Sequence, residues 1–148
     1  MSKLNVLVAG STGYIGVQLI KLLINHKNIK IKYLCGNSSV GKKISHYDKT
    51  IKKKLPRISK LDKSKMNECD VIFTALPNGD AQKISKLLSK KNTLIDLSAD
   101  FRLRDSKSYL KWYKQKHKSV NNIKKSIYSL PELNQKNIKK YQIISCPG

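Results

Sequence analysis

The sequence has few acidic residues and few arginines. Asp and Glu number 9 against 31 Lys and Arg, which gives its 148 residues a formal net charge of +22. The arginines are Arg57, Arg102 and Arg104, and the lysines are spread along the whole chain. Because base readout depends on arginine forks and basic arms concentrate their charge, this distribution favours a solvated lysine surface over a nucleic-acid-binding protein. The charge still attracts anionic small ligands.

Cysteines and long apolar runs are also scarce. Cys35, Cys69 and Cys146 are widely separated, and neither they nor the histidines have metal-ligand spacing. Free thiols fit a reducing compartment. No apolar run approaches the roughly 20 residues of a membrane span, and the run after Met1-Ser2-Lys3 is too short for a secretory signal. We therefore expect a cytoplasmic protein with no metal site and no nucleic-acid or membrane partner.

Two apolar runs with a helical pattern between them open the chain. Leu4–Ala9 is a β-branched run typical of a strand buried on both faces, and Ile29–Cys35 predicts a second strand. A helix is predicted up to about His26, because its apolar residues recur at helical spacing. The stripe expected to face the sheet comprises Ile15, Leu19, Leu22 and Leu23. Such a strand–helix–strand unit forms a parallel pair with a right-handed crossover.

The same alternation continues along the chain. Further strands are predicted at 70–76, 93–97 and 141–145. One helix begins at Asp80, and another follows Asp105 or Ser106, either of which can cap it. The apolar face of the helix from Asp80 comprises Ala81, Ile84, Leu87 and Leu88. This order predicts an α/β fold of the Rossmann type, doubly wound, with a mostly parallel sheet and helices on both faces. No linker marks a boundary, so residues 1–148 are expected to form one domain.

Two regions carry less decisive patterns. Residues 41–66 are lysine-rich and weakly patterned, with a strand at 55–61 that Pro56 interrupts. The helix after Asp105 carries three aromatic residues on one side, which we expect in the core or in a domain contact rather than in a base-stacking platform. These residues are Tyr109, Trp112 and Tyr113.

A glycine-rich loop lies between the first strand and the first helix. Its sequence is Gly10-Ser11-Thr12-Gly13-Tyr14-Ile15-Gly16. In a dinucleotide site, Gly10 permits the tight turn, Gly13 lets the backbone approach the pyrophosphate, and Gly16 allows close packing of helix and strand. The helix N-terminus adds unpaired N–H groups and a partial positive charge. With a strand before it and a helix after it, the loop predicts dinucleotide binding.

A second glycine-containing segment, Gly36–Lys43, resembles a triphosphate-binding loop. Its last position holds Lys43 where Ser or Thr would bind magnesium, and no convincing helix follows. We therefore exclude an ATPase site there.

The end of the second strand instead bears on the choice of dinucleotide. An Asp or Glu there would bind the adenosine ribose 2′-hydroxyl and favour NAD. The chain has Asn37 and Ser38 at this point, with Lys42 and Lys43 nearby. Hydroxyl, amide and ammonium groups suit a 2′-phosphate, so the sequence favours NADP.

Four motifs, taken together, resemble those of N-acetyl-γ-glutamyl-phosphate reductases. They are the glycine loop, Ala75-Leu-Pro-Asn-Gly79, Ile95-Asp-Leu-Ser-Ala-Asp-Phe-Arg-Leu103 and Tyr128-Ser-Leu-Pro-Glu-Leu133. The resemblance covers residues 4–148. The last two motifs separate this family from aspartate-semialdehyde dehydrogenase, which shares the glycine loop.

The resemblance implies NADPH-dependent reduction of N-acetyl-γ-glutamyl phosphate to the semialdehyde used in arginine synthesis. A cysteine thiolate displaces phosphate to leave a thioester, and the cofactor supplies the hydride. The full-length enzyme is expected to be a homo-oligomer. The alternatives are a stand-alone NAD(P)-binding module without catalysis and an aspartate-semialdehyde dehydrogenase-like reductase.

The nucleophile of this family is the cysteine directly after a Pro-Gly pair. Pro147 and Gly148 match that pair, and Cys146 precedes them. We therefore do not expect Cys146 to be the nucleophile, and no catalytic residue is assigned within residues 1–148. The reactive cysteine is expected directly after Gly148, ahead of a C-terminal substrate and dimerisation domain. The isolated chain is then expected to bind nucleotide without turnover.

The resemblance also assigns roles to residues that are present. It implies cofactor binding by the glycine loop, by Asn37 and Ser38 at the ribose, and by a group nearer the nicotinamide. That group comprises Leu76, Pro77, Asn78, Gly79 and Ser98. The family often has Arg at the position of Asn37. Asp100 and Arg102 either belong to the substrate-side loop or pair with each other to shape it. Glu132 either orients the active-site loop or caps the following helix, and we expect a structural role.

Overall fold

The computed structural model describes residues 2–148, with the backbone alone of Asn134, and divides them into two compact units. The first unit ends at Ala75 and the second begins at Leu76. No shift in composition marks this point in the sequence.

The strands of the first unit are β1 (Leu4–Ala9), β2 (Ile29–Cys35) and β3 (Val71–Thr74). Strand β1 lies between the other two and pairs with both in parallel. From Val6 to its end, every β1 residue is at most 2% exposed. The apolar run at the start of the chain is therefore a central strand, as predicted.

Helix α1 (Tyr14–Leu23) connects β1 to β2, but it buries a different face from the one predicted. Its buried residues are Gly16, Val17 and Ile20. Ile15 is 50% exposed and Leu22 is 74% exposed, so the predicted stripe is wrong: the buried face lies about one residue further along the helix. The reason is steric: the face that carries Gly16 is the one that approaches the backbone of the glycine loop most closely. Leu19 and Leu23 still pack in part against the core.

The weakly patterned part of the first unit holds a 3-10 turn at Ile44–His46 and helix α2 (Lys63–Asn67). The strand expected at 55–61 is reduced to one parallel bridge between Cys35 and Ser59. Ile58 beside it is 1% exposed and belongs to the core. The segment therefore covers the end of β2 without forming a strand.

The strands of the second unit are β4 (Thr93–Asp96), β5 (Ser126–Tyr128) and β6 (Ile143–Ser145). Strand β6 pairs in parallel with β4 and with β5. Strand β5 was not predicted from the sequence, because three residues give no periodicity to detect.

The helices of the second unit are short. They are α3 (Asp80–Ser85), α4 (Ser106–Tyr113), α5 (Val120–Ile123) and α6 (Pro131–Ile138). Asp105 caps α4 as predicted, since its carboxylate accepts a 2.8 Å hydrogen bond from the Ser108 N–H. Pro131 occupies the first turn of α6, where its missing N–H has no cost. Glu132 lies in that first turn and does not cap the helix with its side chain.

Two predicted apolar faces of the second unit are only partly buried. In α3, Ala81 and Ile84 are buried, whereas Leu87 is 37% exposed. The helix ends before Leu87 because its last hydrogen bonds become i to i+3. In α4, Tyr109 is 1% exposed and lies in the core, whereas Trp112 is 70% exposed. Of the two positions expected for Trp112, the core is excluded and a domain contact stays a prediction.

The α/β class predicted from the sequence is confirmed. Strands alternate with helices through both units, and the pairings within each unit are parallel. Within residues 2–148, no helix has the length and apolar character that a membrane crossing requires. The same residues contain no group of three or more His, Cys, Asp or Glu placed to hold a metal ion.

Candidate functional site

The glycine loop is fastened to the end of β2. Gly10 has φ +79°, a conformation that favours glycine, so the chain turns sharply as it leaves β1. The N–H groups of Gly10 and Ser11 donate to the Cys35 carbonyl at 3.0 and 3.1 Å. The Ser11 hydroxyl donates to the same oxygen at 3.1 Å and is fully buried. Ser11 therefore uses its side chain to hold the loop.

The other two glycines of the loop meet different constraints. A Cβ on Gly16 would lie 2.1 Å from the Gly10 carbonyl oxygen, so only glycine fits between helix and loop. A Cβ on Gly13 would have its nearest neighbour at 3.6 Å, and the Gly13 backbone is extended with φ −71°. The fold itself does not require glycine at residue 13. Its bare backbone instead leaves room for a ligand, as close approach by a pyrophosphate demands.

The N-terminus of α1 opens beside Gly13. Gly13 is the N-cap and provides no side-chain hydrogen bond, and its carbonyl accepts the Val17 N–H at 2.9 Å. The first-turn N–H groups of a helix have no partner within it, and they carry its partial positive charge. Tyr14 is 83% exposed, so this turn faces solvent. The arrangement suits the phosphates of a dinucleotide.

The loop after β2 lies next to the glycine loop. The Ser39 hydroxyl contacts the Thr12 hydroxyl at 3.5 Å, which links the two loops through their side chains. Asn37 and Ser38, which directly precede Ser39 in the loop after β2, are exposed. The structure thus brings together, within the first unit, the two segments that the sequence assigned to the pyrophosphate and the ribose.

Arg57, to which no sequence motif assigns a role, also contacts this loop. The Arg57 guanidinium donates to the Gly41 carbonyl at 2.8 Å through Nη1. The contact joins residues 16 apart in the chain, and no local motif signals it.

In the second unit, the predicted residues after β3 contact those after β4. Asn78 accepts the Ala99 N–H at 3.2 Å through its side-chain oxygen. Gly79 has φ +96° and begins α3, and its N–H donates to both Asp100 carboxylate oxygens at 2.7 and 2.9 Å. Leu76 is half-buried and Pro77 is exposed. These contacts hold the two loops together.

Asp100 is the centre of a buried hydrogen-bond network. It is fully buried, and its carboxylate also accepts from the backbone and side-chain amides of Gln82 at 3.2 and 2.9 Å and from the Tyr109 hydroxyl at 2.8 Å. Burial raises the pKa of Tyr109, and the neighbouring Asp100 carboxylate raises it further. Four donors therefore converge on Asp100, which gives this carboxylate a structural role.

His117 extends this network. Its Nε2 lies 2.9 Å from the Asp100 carbonyl, to which it donates, and its Nδ1 accepts the Ser119 N–H at 3.1 Å. Burial lowers the pKa of His117 below its ordinary value. The ring is thus held neutral, with its proton on Nε2.

Arg102 does not pair with Asp100, which corrects one of the two expectations for these residues. Its Nε donates to the Cys146 carbonyl at 3.0 Å and its Nη2 approaches the Leu97 carbonyl at 3.5 Å. Within residues 2–148, no ion pair joins Arg102 to Asp100. Arg102 instead ties the end of β4 to the segment after β6.

Ser98 is turned toward β4. Its hydroxyl donates to the Asp96 carboxylate, with distances of 2.8 and 2.9 Å to the two oxygens, and its N–H donates at 3.0 Å. Ser98 is 8% exposed. Its hydroxyl shapes the turn, and its role toward the cofactor stays a prediction.

A cationic cleft lies beside Arg102 in the second unit. It has a volume of about 510 Å³, and Arg102, Arg104 and Lys124 line it together with Tyr128 and Tyr141. Positive charge with aromatic walls suits a small phosphorylated ligand.

Cys146 follows β6 without the surroundings of an activated thiol. Burial raises its pKa, and the Asp96 carboxylate raises it further against a smaller opposing effect of Arg102. Reactive cysteines need the opposite shift.

Comparison with known proteins shows what this chain is similar to. A family model described as "Semialdehyde dehydrogenase, NAD binding domain" matches residues 5–141. N-acetyl-gamma-glutamyl-phosphate reductase from Ehrlichia ruminantium (strain Gardel) is 40% identical over 149 residues, which cover 99% of this chain and 43% of that protein. The protein of the same name from Gloeothece citriformis is 42% identical over 146 residues, 95% of this chain and 41% of that one. The resemblance predicted from the four motifs is thereby confirmed.

A further relative and two solved structures widen the comparison. A putative [LysW]-L-2-aminoadipate/[LysW]-L-glutamate phosphate reductase from Nitrosopumilus maritimus is 39% identical over 95% of this chain and 41% of its own length. Aspartate semialdehyde dehydrogenase with NADP from Candida albicans has a TM-score of 0.63 at 19% identity, covering 98% of this chain and 42% of that one. Aspartate semialdehyde dehydrogenase II from Vibrio cholerae has a TM-score of 0.66 at 18% identity, covering 99% and 38%. The chain spans about two fifths of the length of the curated relatives it matches.

Proposed function

Since this chain belongs to the semialdehyde dehydrogenase NAD-binding domain family, we propose that it is the cofactor-binding part of an N-acetyl-γ-glutamyl-phosphate reductase that uses NADPH. Relatives of that name at 36 to 42% identity, aligned over nearly the whole chain, support the substrate. The observation that carries the cofactor assignment is Gly13, a glycine that the fold leaves free beside an open helix N-terminus.

The overall reaction converts an acyl phosphate, NADPH and a proton into a semialdehyde, NADP⁺ and phosphate. The bound nicotinamide supplies the hydride. The residues of this chain position that group: the α1 N-terminus and the glycine loop bind the pyrophosphate, and Asn37 and Ser38 bind the adenosine ribose. By family resemblance, Leu76 to Gly79 and Ser98 are assigned to the nicotinamide. Nucleophilic attack is assigned to a cysteine outside residues 1–148.

The cationic cleft beside Arg102 supports the assignment of an anionic acyl phosphate as the substrate. Arg102 and Arg104 are two of the three arginines in the chain, and both line that cleft. Arginine binds phosphate through paired, charge-assisted hydrogen bonds. We propose that Arg102 positions the loop and that Arg104 and Lys124 add to the positive field that the phosphate meets.

The preference for NADP rests on the chemistry of the loop after β2. No acidic residue lies between Gly36 and Lys43, and Asn37 and Ser38 are exposed there. The family resemblance also supports a homo-oligomeric state for the complete enzyme. The buried, reduced thiols of Cys35 and Cys69 fit a cytoplasmic location.

The cofactor assignment is tested by titrating the 148-residue chain with NADPH and following its fluorescence. We expect Gly13→Ala to weaken NADPH binding at least tenfold, because the added methyl group occupies the space that the pyrophosphate needs. The free energy of unfolding should change by less than about 1 kcal/mol, since the Cβ meets no close neighbour. Gln18→Ala, on the exposed side of α1, is the matched control and should bind NADPH as the unmodified chain does.

The reaction is tested on the complete protein that contains this chain. Phosphate-dependent reduction of NADP⁺ by N-acetylglutamate semialdehyde is expected. Comparable turnover of aspartate semialdehyde would favour the aspartate-semialdehyde dehydrogenase alternative. Equal affinity of Gly13→Ala and the unmodified chain for NADPH would refute the proposed cofactor site.

A further inference from the structure

The loop after β2 is closed at its base by a segment that lies more than 15 residues further along the chain. Ser59 donates its N–H to the Leu34 carbonyl at 2.9 Å and accepts the Gly36 N–H at 3.1 Å. One residue earlier, Ile58 accepts the Gly41 N–H at 2.8 Å and donates to the Lys42 carbonyl at 3.0 Å. The two ends of the loop are therefore fixed to neighbouring residues of one segment.

Arg57 directly precedes Ile58 in that segment, and its side chain contacts the same loop. Nη1 donates to the Gly41 carbonyl at 2.8 Å, which occupies one of the five N–H donors of a guanidinium. Arg57 is exposed, so its remaining donors face solvent beside the loop. The guanidinium is thus held at the loop that carries Asn37 and Ser38, while much of its hydrogen-bonding capacity is free for a ligand.

The groove beside Arg57 is lined by cations. Arg57 and Lys43 line the same groove of about 690 Å³ in the first unit, with lysines 49, 52, 53 and 54. Among the residues that the structure describes, no acidic one lines this groove. A dianionic phosphate is stabilised by such a field, and an arginine fork fits its oxygen geometry better than a flexible lysine does.

We propose that Arg57 selects NADP over NAD by binding the adenosine 2′-phosphate, from a segment outside the loop that carries the ribose-binding residues. The inference rests on the proposed cofactor site. Asn37 and Ser38 carry no charge, so the cation comes instead from the segment that is hydrogen-bonded to the base of the loop. Asn37 and Ser38 then bind the ribose side, and Lys43 strengthens the field.

The test compares NADPH and NADH binding to Arg57→Gln, measured by fluorescence titration and by calorimetry. We expect NADPH binding to weaken roughly tenfold to hundredfold, as for loss of hydrogen bonds to a charged group. NADH binding should change less than about twofold, because NADH lacks the 2′-phosphate. Arg57→Lys should restore part of the NADPH affinity through its charge.

Lys30→Gln is the matched control, because it removes the same charge from the same unit. Lys30 is exposed at the opposite end of β2, roughly 16 Å from Cys35 along the strand. It should leave the preference for NADPH unchanged.

The outcomes distinguish binding of the 2′-phosphate by Arg57 from a role that only supports the loop. Equal weakening of NADPH and NADH by Arg57→Gln would mean that Arg57 only holds the loop, and it would overturn the inference while leaving the cofactor site intact. An unchanged preference in Arg57→Gln would overturn it as well. If the unmodified chain binds neither nucleotide, the proposed cofactor site fails, and the inference fails with it.

Discussion

Replacing Asp100 by Asn should destabilise the second unit strongly, although the two side chains have nearly the same shape. The carboxylate is fully buried and accepts hydrogen bonds from Gly79, from Gln82 twice and from Tyr109. An amide can retain the acceptor at the Oδ1 position. At the Oδ2 position its NH₂ group faces the Gln82 N–H, which is also a donor.

The magnitude follows from the bonds that are lost or weakened. One buried backbone N–H without a partner costs about 1–3 kcal/mol. The bonds that remain on the amide oxygen lose their charge assistance, which is about half of their strength. A neutral amide is easier to bury than a carboxylate, which offsets part of this loss. The expected decrease in the free energy of unfolding of the Asp100→Asn chain is about 2–4 kcal/mol.

Urea unfolding followed by circular dichroism measures this decrease, with Asp105→Asn as the control. Asp105 is exposed and caps α4, where Asn serves as well as Asp, so this variant loses the same charge at a cost below about 0.5 kcal/mol. A decrease below about 0.5 kcal/mol for Asp100→Asn would refute the structural role of the carboxylate. It would return Asp100 to the substrate-side role that the family resemblance implies.

Three further predictions concern buried positions. Gly16→Ala should lower the free energy of unfolding by about 2 kcal/mol or more in urea titrations, because its Cβ would lie 2.1 Å from the Gly10 carbonyl oxygen. An unchanged free energy of unfolding would show instead that α1 shifts to make room for the methyl group. The chain should lose stability as the pH falls from 7 to 5, because His117 is held neutral in the folded state and protonates first in the unfolded state. The slope should stay below the one-proton limit of about 1.4 kcal/mol per pH unit, and His117→Gln should flatten it; an unchanged slope in that variant would contradict this assignment. Cys35 and Cys69 should resist a thiol reagent at pH 8, since burial raises the pKa of both thiols to about 11 and leaves about a thousandth as thiolate. Mass spectrometry should find them labelled only in urea, and rapid labelling of the native chain would exclude that burial.

Local signals were enough to predict much of the first unit. Leu4–Ala9 and Ile29–Cys35 form the strands that their β-branched runs predicted, and the glycine loop lies between β1 and α1. The cap at Asp105 was likewise predictable, because capping depends on a side chain and on N–H groups three residues away. Each of these features is encoded within a few residues.

The features that were missed depend on packing or on very short segments. The buried face of α1 follows from the contact of Gly16 with Gly10, which depends on the path of the loop and not on hydrophobic spacing. Strand β5 has three residues, and its partner β6 begins 15 residues after β5 ends. Trp112 has the spacing of a core residue, yet it is exposed, since Tyr109 occupies the interior on that side of α4.

The same distinction separates phosphate binding from cofactor preference in the candidate site. The proposed pyrophosphate site is a local motif, because one turn and one helix N-terminus supply its backbone donors. The proposed ribose site combines a loop with a distant segment: Arg57 donates to the Gly41 carbonyl, 16 residues away in the chain, and Ile58 and Ser59 hold the two segments together through backbone hydrogen bonds. On this proposal, a change in that segment alters nucleotide preference while every glycine of the loop stays the same. Sequence alone therefore predicts a dinucleotide site, whereas the residue that we propose to choose between NADP and NAD is found only from the fold.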